Sequence, residues 1–141
     1  MNKNGTYKYV KEVSDKDGRI LLKNFKEADG LIIYPESLIK IENADEKKID
    51  VKFSFISTKD EFSTLTESSI NLMVAKANFE VMYLMKNKYT YTPKKILMIH
   101  GVDNQNWIID IVYTAQNDYG GLKDGHKLVT MTGDGFVYHV D

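Results

Sequence analysis

Residues 64–88 read TLTESSINLMVAKANFEVMYLMKNK, and the architecture turns on whether this stretch is a helix or a strand. Thr64-Leu65-Thr66-Glu67 fits a capping box, in which the threonine hydroxyl accepts from an orphan amide and the glutamate reaches back to the cap residue's own amide. Spacing at 100° per residue gathers Ile70, Met73, Val74, Ala77, Val81, Leu84 and Met85 on one face. Leu72, Ala75, Phe79, Met82 and Tyr83 gather on the other. The pattern predicts one long helix over 64–88 whose first face is core. The second stripe is then wrapped by a curved sheet, covered by a loop, or used to meet a partner, including a second copy of the chain. Phe79, Val81, Tyr83 and Met85 also alternate, which keeps a strand reading of 78–86 open.

On both sides of this stretch the period is two. In IDVKFSFIS (49–57), Ile49, Val51, Phe53 and Phe55 oppose Asp50, Lys52 and Ser54, the pattern of a half-buried strand. Further short strands are expected near 6–13, 19–25, 30–34 and 37–42. Asp-Gly pairs at 17/18, 29/30, 124/125 and 134/135 suit the positive φ of tight turns. After Pro93, KKILMIHGV, NWIIDIVYTAQ, HKLVTMT and FVYHV read as a four-stranded antiparallel meander. The fold class is therefore α+β, as a single domain: an N-terminal β part (5–58), the helix (64–88) and a C-terminal meander (94–140). A long helix followed by four antiparallel strands is similar in layout to cystatin-like and NTF2-like domains. The five-strand N-terminal half departs from both, so no ligand site is carried over.

Composition narrows the function. The 141 residues suffice for one domain that buries about two-thirds of its unfolded surface without a disulfide or metal. With no cysteine, thiol catalysis, zinc–thiolate sites and iron–sulfur clusters are excluded. The opening MNKNGTYKYV lacks the apolar core of a signal peptide, and no apolar run approaches a membrane span. The expected compartment is the cytoplasm, or the exterior if a leader has been removed. Nineteen basic against twenty acidic side chains give a net charge of −1, and Arg19 is the only arginine. That balance argues against nucleic acid, whose binding needs uncompensated lysine and arginine.

No catalytic or metal constellation stands out, and no cofactor motif is present. His100, His126 and His139 lie at or beside strands with Asp103, Asp110 and Asp134 as candidate partners, in neither an HxH nor an HExxH pattern. They are expected to be partly exposed strand residues. Ser37-Leu38-Ile39-Lys40 spells S-x-x-K, yet a strand would point Ser37 and Lys40 to opposite faces. DKDGR at 15–19 starts like a calcium loop but has its glycine two positions early.

Two segments carry the functional expectations. In KNKYTYTPKK (86–95), four lysines and two tyrosines occur with no acid. Lys86 and Lys88 suit a helix C-terminus, and TYTP is extended because the residue before proline avoids helix. Tyr89, Tyr91, Lys94 and Lys95 remain as a candidate rim for an anionic partner, nucleic acid being the third choice after protein and small ligand. Residues 96–141 hold two lysines and six aspartates, which balance those lysines.

The second segment is VYTAQNDYGGLKDGH (112–126), with Asn117 and Tyr119 as candidate contact residues in a glycine-bearing loop. It resembles a stretch, roughly N-A-K-N-S-[FY]-G-G, of short uncharacterised exported bacterial proteins and lipoproteins, matched by Ala115, Asn117, Tyr119, Gly120 and Gly121. Thr114, Gln116 and Asp118 depart from it. The resemblance implies an extracytoplasmic relative of unknown activity. GTYKYV with ADGLIIYPES also resembles the opening strands of bacterial lipocalin-like domains, which the helix contradicts.

The leading expectation is a non-enzymatic protein-binding module: an inhibitor, immunity-type protein or adaptor. The alternative is a small-ligand or weakly enzymatic cup with Trp107, Tyr113, His100 and Asp110 near its mouth.

Overall fold

Where alternation is strongest the chain forms strands, and where the 3.6 period takes over it forms a helix. The computed structural model of the chain describes residues 8–9, 26–42, 48–100 and 106–141. Four strands come first: β1 (Lys8–Tyr9), β2 (Lys26–Ala28), β3 (Leu31–Glu42) and β4 (Lys48–Thr58). Helices α1 (Lys59–Thr64) and α2 (Glu67–Met82) follow, then a 3-10 turn at Lys88–Thr90. Strands β5 (Thr92–Ile99), β6 (Trp107–Gln116), β7 (Leu122–Met131) and β8 (Val137–Val140) complete the order. The fold is α+β. One sheet runs β1-β3-β4-β5-β6-β7-β8, with β2 also against β3. Its pairings are antiparallel except for β4–β5, which is parallel.

Several expectations change. The segments 30–34 and 37–42 form a single strand, β3, with a bulge between Tyr34, paired to Phe55, and Ser37, paired to Phe53. Pro35, which has no N–H for a ladder, falls in that bulge. Asp29-Gly30 is the expected turn, with φ of 53° and 80°, the double positive of a type I′ hairpin. Asp124-Gly125 is not a turn but lies inside β7. Gly125 is opposite Tyr113, and a Cβ there would overlap the tyrosine ring. Most of the strands expected at 6–13 and 19–25, the Asp17-Gly18 turn, the DKDGR loop and the side chains of Ser37 and Lys40 lie outside the described residues.

The helix is shorter than 64–88. Thr58 caps α1 by accepting from the Glu61 amide at 3.2 Å. Leu65 and Thr66 are extended, so the chain breaks before α2 begins. The capping box is Thr66 with Ser69, not Thr64 with Glu67. The Ser69 amide donates to Thr66 Oγ1 at 3.1 Å, and the Thr66 amide donates to Ser69 Oγ at 2.9 Å. At the far end, Leu84 and Met85 donate to Val81 and Met82 carbonyls three residues back, the tightening that closes many helices.

Ile70, Met73, Val74, Ala77 and Val81 are buried as the first face requires. Leu84, assigned to that face, is 57 % exposed because the helix has already ended. Met82 of the second stripe is buried, whereas Leu72 and Tyr83 are exposed. The helix face meets the inner sheet face, where Phe53, Phe55, Met98, Ile109 and Met131 have no exposure. Tyr34 stacks on Phe55, with centroids 5.1 Å apart and planes at 6°. Met73 lies beside Trp107 at the start of β6, and Asn87, just past the helix, reaches Gln116 at its end, so α2 runs lengthwise along β6. It nevertheless contacts both β1 and β8 at the two ends of the strand order. The sheet therefore curls around it.

On the outer face a half-buried row of isoleucines, Ile33, Ile56, Ile99 and Ile108, crosses four strands.

A polar link ties the helix to Tyr91, the residue that leads into β5. Tyr91 is 1 % exposed and donates its hydroxyl to Asn78 Oδ1 at 2.8 Å, while Asn78 Nδ2 donates to the Val74 carbonyl at 3.1 Å. Tyr91→Phe leaves the buried Asn78 oxygen without its donor, and the expected loss is about 1–3 kcal/mol. Urea unfolding measures it. Adding Asn78→Leu, which removes the stranded polar group as well, is expected to recover part of that loss.

Candidate functional site

The two segments that stand out in the sequence meet at one end of the sheet. Past α2 the chain turns through Leu84–Asn87, where Asn87 Oδ1 accepts from the Tyr89 amide at 3.2 Å and caps the 3-10 turn. Thr90 Oγ1 donates to the Asn87 carbonyl at 2.8 Å and accepts from the Gln116 amide at 2.9 Å. Asn87 Nδ2 donates to Gln116 Oε1 at 3.3 Å. These bonds fasten the helix exit to the last residue of β6.

The β6–β7 hairpin is held by its own side chains. Asn117 Oδ1 accepts from the amides of Tyr119 and Gly121 at 2.9 and 3.0 Å, and Gln116 Nε2 donates to the Gly120 carbonyl at 2.9 Å. Gly120 has φ of 83°, a left-handed value suited to glycine. Lys86 Nζ lies 3.2 Å from Asp118 Oδ1, an exposed pair that joins the two loops but adds little energy.

This arrangement leaves large apolar groups in water. Tyr119 is 95 % exposed and Leu122 70 %, with Tyr83, Leu84 and Tyr89 each more than half exposed. A cleft of about 280 Å³ is lined by Tyr83, Met85, Lys86, Asn87, Lys88 and Tyr89. Lys88 Nζ sits 4.6 Å from the Tyr83 centroid and 5.7 Å from that of Tyr89, within cation–π range of both rings.

Not every candidate belongs here. Tyr89 and Tyr119 stand in the rim, and Asn117 supports it from behind. Tyr91 is a core residue, because Asn78 supplies a partner for its hydroxyl inside the protein. Lys94 is exposed, and Lys95 lies on the outer sheet face 3.7 Å from Glu36. Tyr83, Leu84 and Leu122 were not among the candidates. Tyr83 and Leu84 were absorbed into helix stripes, and Leu122 was the one available signal, an aliphatic residue in a polar loop.

The four cup residues divide among three places. His100 and Trp107 meet with ring centroids 5.1 Å apart. Trp107 Nε1 donates to Glu61 Oε2 at 3.1 Å, and His100 Nε2 is 3.7 Å from Glu61 Oε1. A pocket of about 120 Å³ beside them is lined by Glu61, Leu65, Ser69, Met73, Trp107 and Gly133. Tyr113 lies further along β6, its ring 5.2 Å from that of Tyr91. Asp110 faces the outer side and meets His126 Nε2 at 2.6 Å. His126 and His139 are exposed strand residues as expected, but His100 is buried at 7 % because the turn of α1 closes over it through Glu61.

Among the described residues, no group of three His, Asp or Glu side chains is placed to hold a metal ion. No described helix is long and apolar enough to cross a membrane. No family model, curated protein or solved structure matches the chain.

Burial pushes the Tyr113 phenol above its ordinary 10.0. The unfolded chain then loses that proton first, so the stabilising contribution is intact below pH about 10 and fades as pH rises further. Tyr113→Phe is expected to flatten the alkaline fall in urea stability. Asn117→Ala removes the acceptor for two loop amides; exchange at the Tyr119 and Gly121 amides is expected to quicken while the free energy of global unfolding changes by under about 1 kcal/mol. Proton exchange followed by NMR reads both.

Proposed function

We propose that this chain is a protein-binding module without catalytic activity, of the inhibitor, immunity or adaptor kind, and that its contact surface is the rim formed by Tyr83, Leu84, Tyr89, Tyr119 and Leu122. The observation that carries the reading is the exposure of these five side chains at the helix exit and the β6–β7 hairpin, whose backbones are fixed by hydrogen bonds. Exposed apolar groups gathered at one place mark interaction sites. Tyrosine is enriched in interfaces, where it supplies a large contact area at low conformational cost.

The lysines fit the same role. Lys86 and Lys88 add positive charge beside the aromatic rings, which favours a partner with acidic residues around an apolar centre. In this reading the curled sheet and α2, a layout similar to cystatin-like and NTF2-like domains, act as a rigid scaffold. The meander from β5 to β8 carries the Tyr119 loop on it.

The test is capture from extracts of the source cells. A chain carrying Tyr89→Ala and Tyr119→Ala is expected to keep its thermal transition but to lose the partner that the unaltered chain retains. Once the partner is purified, each single change is expected to weaken binding by about tenfold, the range of an interface hot spot. Equal retention by the altered and unaltered chains would overturn the proposal.

A further inference from the structure

The cleft at the helix exit is built by a single segment, since all of its lining residues fall within 83–89. Lys88 is half-buried there, whereas Lys86 is exposed. The Lys88 ammonium stands 4.6 Å from the Tyr83 ring centroid and 5.7 Å from that of Tyr89. Both rings are held in place. Tyr83 packs on Phe79 of α2 with centroids 4.5 Å apart, and the Tyr89 amide donates to Asn87 Oδ1 at 3.2 Å. An ammonium kept between two fixed rings gives up part of its water and the freedom of a long side chain. The rings return a quadrupole attraction but no opposite charge.

The two lysines differ in how that charge is met. Asp118 reaches Lys86 from the β6–β7 hairpin, with Oδ1 3.2 Å from Nζ. Among the described residues, Lys88 joins no ion pair.

We propose that the cleft receives one acidic side chain of the partner protein, whose carboxylate pairs with Lys88 Nζ while its apolar neighbours lie on Tyr83, Leu84 and Tyr89. The inference rests on the protein-binding reading and names the group that the partner inserts.

Charge and size choose this occupant. A volume of about 280 Å³ takes a side chain but not a folded element. A carboxylate that approaches Nζ from the side away from the rings replaces lost water with a charge-assisted hydrogen bond. Partial burial makes that pair stronger than one in open water. A basic side chain would meet Lys86 and Lys88 as like charges, and an apolar one would strip water from Lys88 without giving anything back. A nucleic-acid strand needs further cations along its phosphates, and here Asp118 stands beside the cleft instead.

The probe is the acetylated, amidated tripeptide Leu-Glu-Leu, titrated to millimolar concentration into the isotope-labelled full chain, with Leu-Gln-Leu as its uncharged counterpart. The expected result is shifted resonances at the Lys88 side chain and the Tyr83 and Tyr89 rings, with the glutamate probe binding about tenfold more tightly than the glutamine one. Lys88→Met keeps the aliphatic stem against both rings and deletes the charge, and is expected to erase that preference. Lys88→Arg is expected to keep it, because a guanidinium also stacks on aromatic faces and pairs with carboxylate. Lys86→Met is expected to change it by less than about threefold, since Asp118 already holds that cation. No shift at these groups, equal binding of the two probes, or a preference that survives Lys88→Met overturns the inference and leaves the protein-contact reading standing on the rim tyrosines. Acetate binding as well as the tripeptide also overturns it, because the apolar flanks then add nothing. An oligothymidylate that binds more tightly than the tripeptide overturns the inference and the protein-contact reading together.

Discussion

β4 and β5 lie side by side and run in the same direction, and the rest of the molecule is arranged around that pairing. Antiparallel neighbours are joined by a tight turn, but parallel ones require the chain to cross the sheet before it can start again. Here the crossing takes both helices and the 3-10 turn. It places α2 along the inner face, and among the described residues no helix covers the outer one. It also puts one helix end at the start of β6 and the other at its finish, so each end of the sheet receives its own cluster of side chains.

Those two ends solve the same problem differently. At the start of β6 the polar groups are taken inward: Glu61 accepts from the Trp107 indole and lies beside buried His100. At the finish, Asn87, Thr90, Gln116 and Asn117 satisfy loop backbone groups locally, and the aromatic side chains are free to face solvent. A polar side chain that binds a nearby amide fixes a loop without needing a core beneath it. That is how Tyr119 is both held in place and almost wholly exposed.

Much of this could be read from the residues. Period-two alternation identified β4, β6 and the later strands, because one buried face writes itself directly into sequence. The helical period pointed to α2 although alternation over 78–86 also fitted a strand, and its limits were not legible. Thr64/Glu67 and Thr66/Ser69 both satisfy cap chemistry, and apolar spacing continues past Met82 although the hydrogen bonds change there. Tyr91 looked like an exposed loop aromatic because its partner, Asn78, is thirteen residues earlier. The joining of 86–95 to 112–126 depends on Gln116, which bonds residues 26 and 29 positions away. No local pattern encodes that. Gly125 misled for the opposite reason, since an Asp-Gly pair has turn chemistry while this glycine makes room for a ring.

The only tryptophan of the chain has no solvent exposure and is bonded to a carboxylate on a short helix. Its emission consequently reports on one seam, where α1 closes over the start of β6. Should α1 lift away while the sheet stays intact, the indole would lose its charged acceptor and meet water, and the fluorescence would shift before global unfolding began. The fold thus carries a native optical sensor at the end of the sheet opposite the tyrosine rim.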